Sequence, residues 1–304
     1  MNALRKSAAL ARRGLPSLTS AAARRLGAAA ARLPPAAAWA LAAEEADWRG
    51  GRRQNGFFGL YDDVASAVAA APSDALGYDD PAMASLEAMQ TDDGAFPPMR
   101  LSEYAVLFWL REAIEAGARH VLDVGGHLGQ FYRHARDHLD VPPDLRWTVY
   151  DVPVIAAAGA ARADREGEVA LAFVDHLAAI DGCDVALVAG ALQYLPPGFL
   201  PQALHEMTRP PDTLLLQRAA VSPSRGFVTL QALVTRAGAV RFCPYCVTRR
   251  ADLVANLAAL GYRETHAWTT DRVFDLPGHP ECADTVYLGL RLRRASTGAP
   301  PSLR

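Results

Sequence analysis

From residue 118 onward the chain predicts a doubly wound α/β sheet, on three observations. Strand-like and helical stretches alternate from residue 120 to residue 293. The strands are unbroken apolar runs, as expected where a parallel sheet is covered by helices on both faces. The first of them, "VLDVGGHLGQFY" at 121–132, ends in a glycine-dense corner and then a helix. In an open α/β sheet that corner lies on the edge that binds ligands.

Taken in order, "SEYAVLFWLREAIEAG" (102–117) predicts a helix. Ser102 can cap it, Val106, Leu107, Leu110 and Ile114 form its apolar stripe, and Gly117 stops it. Strands follow at 120–126, 146–151, 169–175, 184–195 (running into a loop) and 213–221. Helices are expected at 129–139, 152–163 and 198–208, and again at 250–260, ended by Gly261. Two closing strands are expected at 264–270 and 284–293. This gives a core over 118–294 with an insert at 222–249, and a helical N-terminal cap over 48–117 that includes a short helix at 81–90. The tail 295–304 is expected to be disordered.

Residues 1–47 are set apart by alanine and by arginine pairs; no acid precedes Glu44. This leader admits three readings: a poorly ordered or helical segment, a basic surface resting on anionic lipid through residues 1–33, or a targeting peptide. A net charge of -2 gives no global pull toward nucleic acid. No apolar run reaches the roughly 18 residues that span a bilayer. Four cysteines make no disulfide framework, so a cytoplasmic setting is expected. Hydrophobic residues, 51% of the chain, suffice for a large core.

The corner holds Gly125, Gly126 and Gly129. Its spacing is neither G-x-G-x-x-G nor a phosphate-binding loop ending in G-K-[ST], which weakens the dinucleotide and triphosphate readings. "VLDVGGHLG" instead resembles the first motif of class I S-adenosylmethionine-dependent methyltransferases. That resemblance implies a Rossmann-like seven-stranded sheet of order 3-2-1-4-5-7-6 with the last strand antiparallel, and S-adenosylmethionine as cofactor. It further implies that Asp123 and the glycines face the methionine part, that Asp151 binds the ribose hydroxyls, and that Asp175 lies near the adenine. Leu192 and Gln193, in "AGALQYLPP" (189–197), would line the cofactor. Taken together, "NGFFGLYDD", "LGYDD", "WTVYDVP" and "LQYLP" resemble bacterial methyltransferases associated with polysaccharide and lipopolysaccharide loci, over about residues 48–293. Those relatives often carry Glu where this chain has Asp151.

The expected activity is methyl transfer to a small-molecule or glycan acceptor. Two competing readings stay open: a catalytically inactive methyltransferase-like scaffold or partner in glycan assembly, and a nicotinamide-dependent oxidoreductase. No general base stands out; His127 and Tyr194 are the candidates, and His205 reads as an exposed helix residue. Arg218, Arg225, Gln231 and Tyr245 are candidates to face an acceptor. Cys243 and Cys246 ("CPYC"), with His279 and Cys282, have the types and number of a zinc site, yet lie in separate segments, so no metal is expected.

Overall fold

The computed structural model describes residues 35–53, 55–72, 96–177, 180, 182–234, 238, 240–270 and 273–295. Residues 1–34, the helix expected at 81–90 and most of the C-terminal tail lie outside the described residues.

The main sheet is the one expected. Five parallel strands, β2 (His120–Val124), β3 (Arg146–Tyr150), β4 (Leu171–Val174), β5 (Val185–Ala189) and β6 (Thr213–Ser222), stand in the order β4-β3-β2-β5-β6. β10 (Val286–Arg294) lies antiparallel to β6, and β9 (Tyr262–Thr269) closes the edge beyond it. Renumbered along the core, the order is 3-2-1-4-5-7-6 with its last strand antiparallel.

Helices cover both faces because both faces of the strands are apolar. On one side α3 (Tyr104–Glu115), α4 (Gln130–His138) and α5 (Pro153–Glu166) bury Leu110, Phe131 and Ala163 against Val121, Trp147 and Leu187. On the other, α6 (Phe199–Glu206) and α7 (Arg250–Ala259) set Leu200, Leu204, Leu253 and Leu257 against Leu122, Val188 and Leu214. Each of the Leu, Val and Phe side chains among them contributes about 1.5–3 kcal/mol when fully buried. Ser102 does not cap α3. It sits in a 3-10 turn, Leu101–Glu103, and its carbonyl accepts a 3.0 Å bond from the Gln217 amide of β6. That bond ties the residues before α3 to the centre of the sheet.

The cap and the insert differ from expectation. The stretch 48–117 is not purely helical. After α1 (Pro35–Arg49) it contributes a strand, β1 (Phe57–Tyr61), followed by α2 (Val64–Ala70). The insert forms a hairpin of β7 (Phe227–Val234) and β8 (Val240–Arg249), and β1 pairs antiparallel with β7. The resulting three-stranded sheet joins the main one because β6 outruns β5. Pairing of β5 with β6 ends at Ala189 opposite Gln217, whereas Val221 and Ser222 pick up Thr248 and Arg249 of β8. Trp48, Phe58, Leu230 and Phe242 fill one side of this second sheet, and Phe57, Tyr245 and Phe274 the other.

Candidate active site

All five parallel strands end on the same edge, and the residues picked out from the sequence gather there. At the end of β2 the Gly125 N–H donates to the Tyr150 carbonyl of β3 at 2.7 Å, fixing the corner to its neighbour strand. Gly125 has φ +69, and a side chain there would meet Ala191, after β5, at 2.3 Å. A side chain at Gly126 would meet the Asp123 carboxyl at 2.5 Å. That close approach explains the paired glycines: the backbone of one lies directly on an acid. His127 takes φ +53, a left-handed conformation uncommon for a residue with a side chain.

Asp123 has no exposed surface and lies beneath the corner rather than on its rim. Its Oδ2 accepts a 3.3 Å bond from Trp147 Nε1, while its Oδ1 has no hydrogen-bond partner. Burial pushes the carboxyl up to about 7, the charge of Asp151 adds to the rise, and the Trp147 bond opposes it. Asp151, at the end of β3, accepts from the His127 N–H at 2.9 Å and from the Val152 N–H at 2.8 Å. Burial raises this carboxyl to about 6 against those two bonds. The His127 bond couples the ribose-side acid of the expectation to the glycine corner.

The other expected residues take different positions. Asp175 follows β4, is exposed, and accepts from His176 Nδ1 at 2.7 Å, which holds its carboxyl below the usual range. Leu192, Gln193 and Tyr194 form one 3-10 turn after β5. Leu192 packs on the core. The Gln193 amide turns back onto the Gly190 carbonyl at 2.7 Å, leaving its buried Oε1 without a partner. The Tyr194 hydroxyl donates to Gln231 of β7, and its ring meets Tyr245 of β8 edge-on at 5.2 Å. Tyr194 therefore braces the second sheet against the turn after β5, and Gln231 and Tyr245 are buried in that brace. The imidazole of His127 is buried and that of His205 exposed.

Arg218 lies at the same edge. It sits in a bulge of β6, where Gln217 and Arg218 lie between the pairs Leu216↔Leu290 and Ala219↔Leu288. With φ +54, it sets its guanidinium against Gly190, whose absent side chain would stand 2.5 Å from Nη2. Arg225 is instead outside the edge, paired with Glu281 at 3.3 Å and with Cys282 Sγ at 3.2 Å.

Two residues missed in the sequence support the corner. Trp147 reads there only as a core residue, yet it supplies the indole N–H to Asp123. Arg133, buried on α4, donates to the Leu128 carbonyl at 2.6 Å and pairs with Glu166. It also stands 5.0 Å from the Phe96 ring, so the segment before α3 packs against the corner's support.

The cysteines do not converge. Cys243 and Cys246 are three residues apart on β8 and so point to opposite faces; Cys243 packs with Tyr194 and Leu233, Cys246 against the Trp48 side. Among the described residues no group of three or more His, Cys, Asp and Glu could hold a metal ion. Nor is any helix there long and apolar enough to cross a membrane.

No family model and no curated protein matches the chain. Solved structures with a similar chain path include the Burkholderia thailandensis 1,6-didemethyltoxoflavin-N1-methyltransferase with bound 1,6-didemethyltoxoflavin and S-adenosylhomocysteine. It is 20% identical, over 66% of this chain and 92% of its own, with a TM-score of 0.41. The CcbJ methyltransferase of Streptomyces caelestis is 15% identical over 70% and 96%, TM-score 0.44. The magnesium protoporphyrin IX methyltransferase of Synechocystis PCC 6803 with bound S-adenosylhomocysteine is 12% identical over 72% and 96%, TM-score 0.46.

Proposed function

We propose that the chain is an S-adenosylmethionine-dependent methyltransferase acting on a hydroxyl of a small-molecule or glycan acceptor. The observation that carries the reading is the pair of carboxyls at the corner. Asp123 under Gly126 and Asp151 bonded to the His127 N–H leave the corner acid-lined. Two acids at this point oppose a pyrophosphate or triphosphate and favour a ligand that carries positive charge. Asp123 beneath the corner is what disfavours the pyrophosphate of a nicotinamide cofactor, whereas Asp151 suits the ribose of either cofactor.

The residues fit the cofactor. Asp123 is a buried carboxyl with an unused oxygen, and an ammonium or sulfonium bound over the thin glycine backbone would favour its ionised form. Asp151 accepts two backbone bonds, and a carboxylate has about four acceptor sites, so it retains capacity for ribose hydroxyls. When bound, S-adenosylmethionine supplies a methyl group activated on a sulfonium. The chain's contribution is to hold donor and acceptor in line. Of the two candidate bases, Tyr194 already donates its hydroxyl to Gln231, which makes it a positioning residue first. A role in surface polysaccharide biosynthesis follows from the resemblance of the motifs over residues 48–293.

The test is incubation with S-adenosylmethionine and a panel of free monosaccharides, nucleotide sugars and phenols, reading release of S-adenosylhomocysteine. Release above the acceptor-free background with one acceptor class, lost in Asp151→Ala, supports the reading. Tight cofactor binding with no release across the panel favours the inactive scaffold.

A further inference from the structure

A cavity of about 610 Å³ is lined by Arg53, Asn55, Gly56, Phe57, Arg100, Val273 and Asp275. Its size falls within the roughly 300–1,000 Å³ of small-molecule sites. Three separate parts of the fold meet in its wall: the segment before α3, the start of β1, and the loop between β9 and β10.

Its position relates it to the candidate active site by two routes. The Phe57 ring is 4.7 Å from that of Tyr245, which in turn contacts Tyr194 in the turn after β5. On the other wall, Arg100 is two residues from Ser102, whose carbonyl is held by Gln217 next to Arg218. Through these contacts the wall of the cavity is linked to the turn after β5 and to the bulge of β6, while its lining residues come from neither.

The charges of its wall are not equivalent. Arg53 is committed: it pairs with Glu44 and, at 2.9 Å, with Asp275, the cavity's one acid. Arg100 is exposed, and no ion-pair partner for its guanidinium occurs among the described residues. What remains is an apolar aromatic floor, an amide, and one uncommitted guanidinium at the wall. A guanidinium binds a carboxylate through two parallel hydrogen bonds.

We infer that this cavity is the acceptor site and that it takes a carboxylate-bearing small molecule of about monosaccharide size, with Arg100 gripping the carboxylate. The inference rests on the methyltransferase reading for the word acceptor, but the binding site does not.

The experiment is ligand-observed NMR titration of the full chain with two matched pairs of probes, glucuronate against glucose and 4-hydroxybenzoate against its amide. Wild type, Arg100→Ala, Arg100→Lys and the exposed control Arg111→Ala are compared, and S-adenosylhomocysteine is titrated separately. The expected result is that at least one carboxylate binds tenfold or more tightly than its neutral match. Arg100→Ala removes that preference, Arg100→Lys keeps part of it, and Arg111→Ala keeps all of it. S-adenosylhomocysteine affinity changes less than twofold in all three variants. No carboxylate preference in wild type, or a preference that survives Arg100→Ala, overturns the assignment. An Arg100-dependent preference in a chain that does not bind S-adenosylhomocysteine leaves the site standing and removes the methyltransferase reading instead.

Discussion

Replacing Asp123 by Asn should stabilise the ligand-free protein at pH 8 and not at pH 5. The carboxyl is raised from its ordinary 3.8 to about 7, chiefly by burial. Because the folded value is the higher one, this contribution to stability is fully present below about pH 3.8 and is lost as pH rises to about 7. The gap corresponds to about 4 kcal/mol against the folded state once the group is ionised. Asn removes that cost, keeps the acceptor for Trp147, and introduces a buried amide N–H that costs about 1–3 kcal/mol if unmet. The net expectation is a gain of about 1–3 kcal/mol at pH 8, or several degrees in melting temperature for a protein of this size. At pH 5, where Asp123 is mostly protonated, the variant should be neutral or slightly less stable. Thermal melting of both proteins at the two pH values decides the matter. A variant destabilised equally at both would refute the claim that Asp123 lies uncompensated beneath the corner.

Three further outcomes follow from the same geometry. Affinity for S-adenosylmethionine should rise from pH 5 to pH 8, because a cationic ligand favours the ionised forms of Asp123 and Asp151; a flat profile in calorimetry would contradict this. Gly126→Ala should lower stability by about 1–3 kcal/mol and weaken cofactor binding, since its methyl meets the Asp123 carboxyl at 2.5 Å. Tyr194→Phe should cost about 1–3 kcal/mol by stranding the buried Gln231 side chain, with less than a tenfold effect on cofactor affinity; unchanged melting would remove its bracing role.

The parallel core was legible because buried parallel strands read as plain apolar runs and each is followed by a helical stretch. Asp123, Gly125, Gly126 and Asp151 were legible as candidates because chemistry at strand ends is local in sequence: three residues of β2 and its turn, and one at the end of β3. The second sheet was not legible. "FFGLY" at 57–61 carries a glycine at its centre and follows a glycine- and arginine-rich stretch, and its partner β7 lies about 170 residues away, a pairing no local pattern encodes. The Cys-x-x-Cys spacing carried no strand signal either: on β8 it sets the two thiols on opposite faces. Nothing in "LLLQRAAV" announces a bulge, and so the left-handed backbone that aims Arg218 at Gly190 appears only in three dimensions.

The central claim is that the acid-lined glycine corner holds S-adenosylmethionine. Calorimetric titration of wild type and Asp151→Ala with S-adenosylmethionine and S-adenosylhomocysteine tests it most directly. The account predicts binding of both ligands by wild type and a loss of tenfold or more in the variant, as expected when hydrogen bonds to a charged group are removed. No binding by wild type, or equal binding by both proteins, would contradict it.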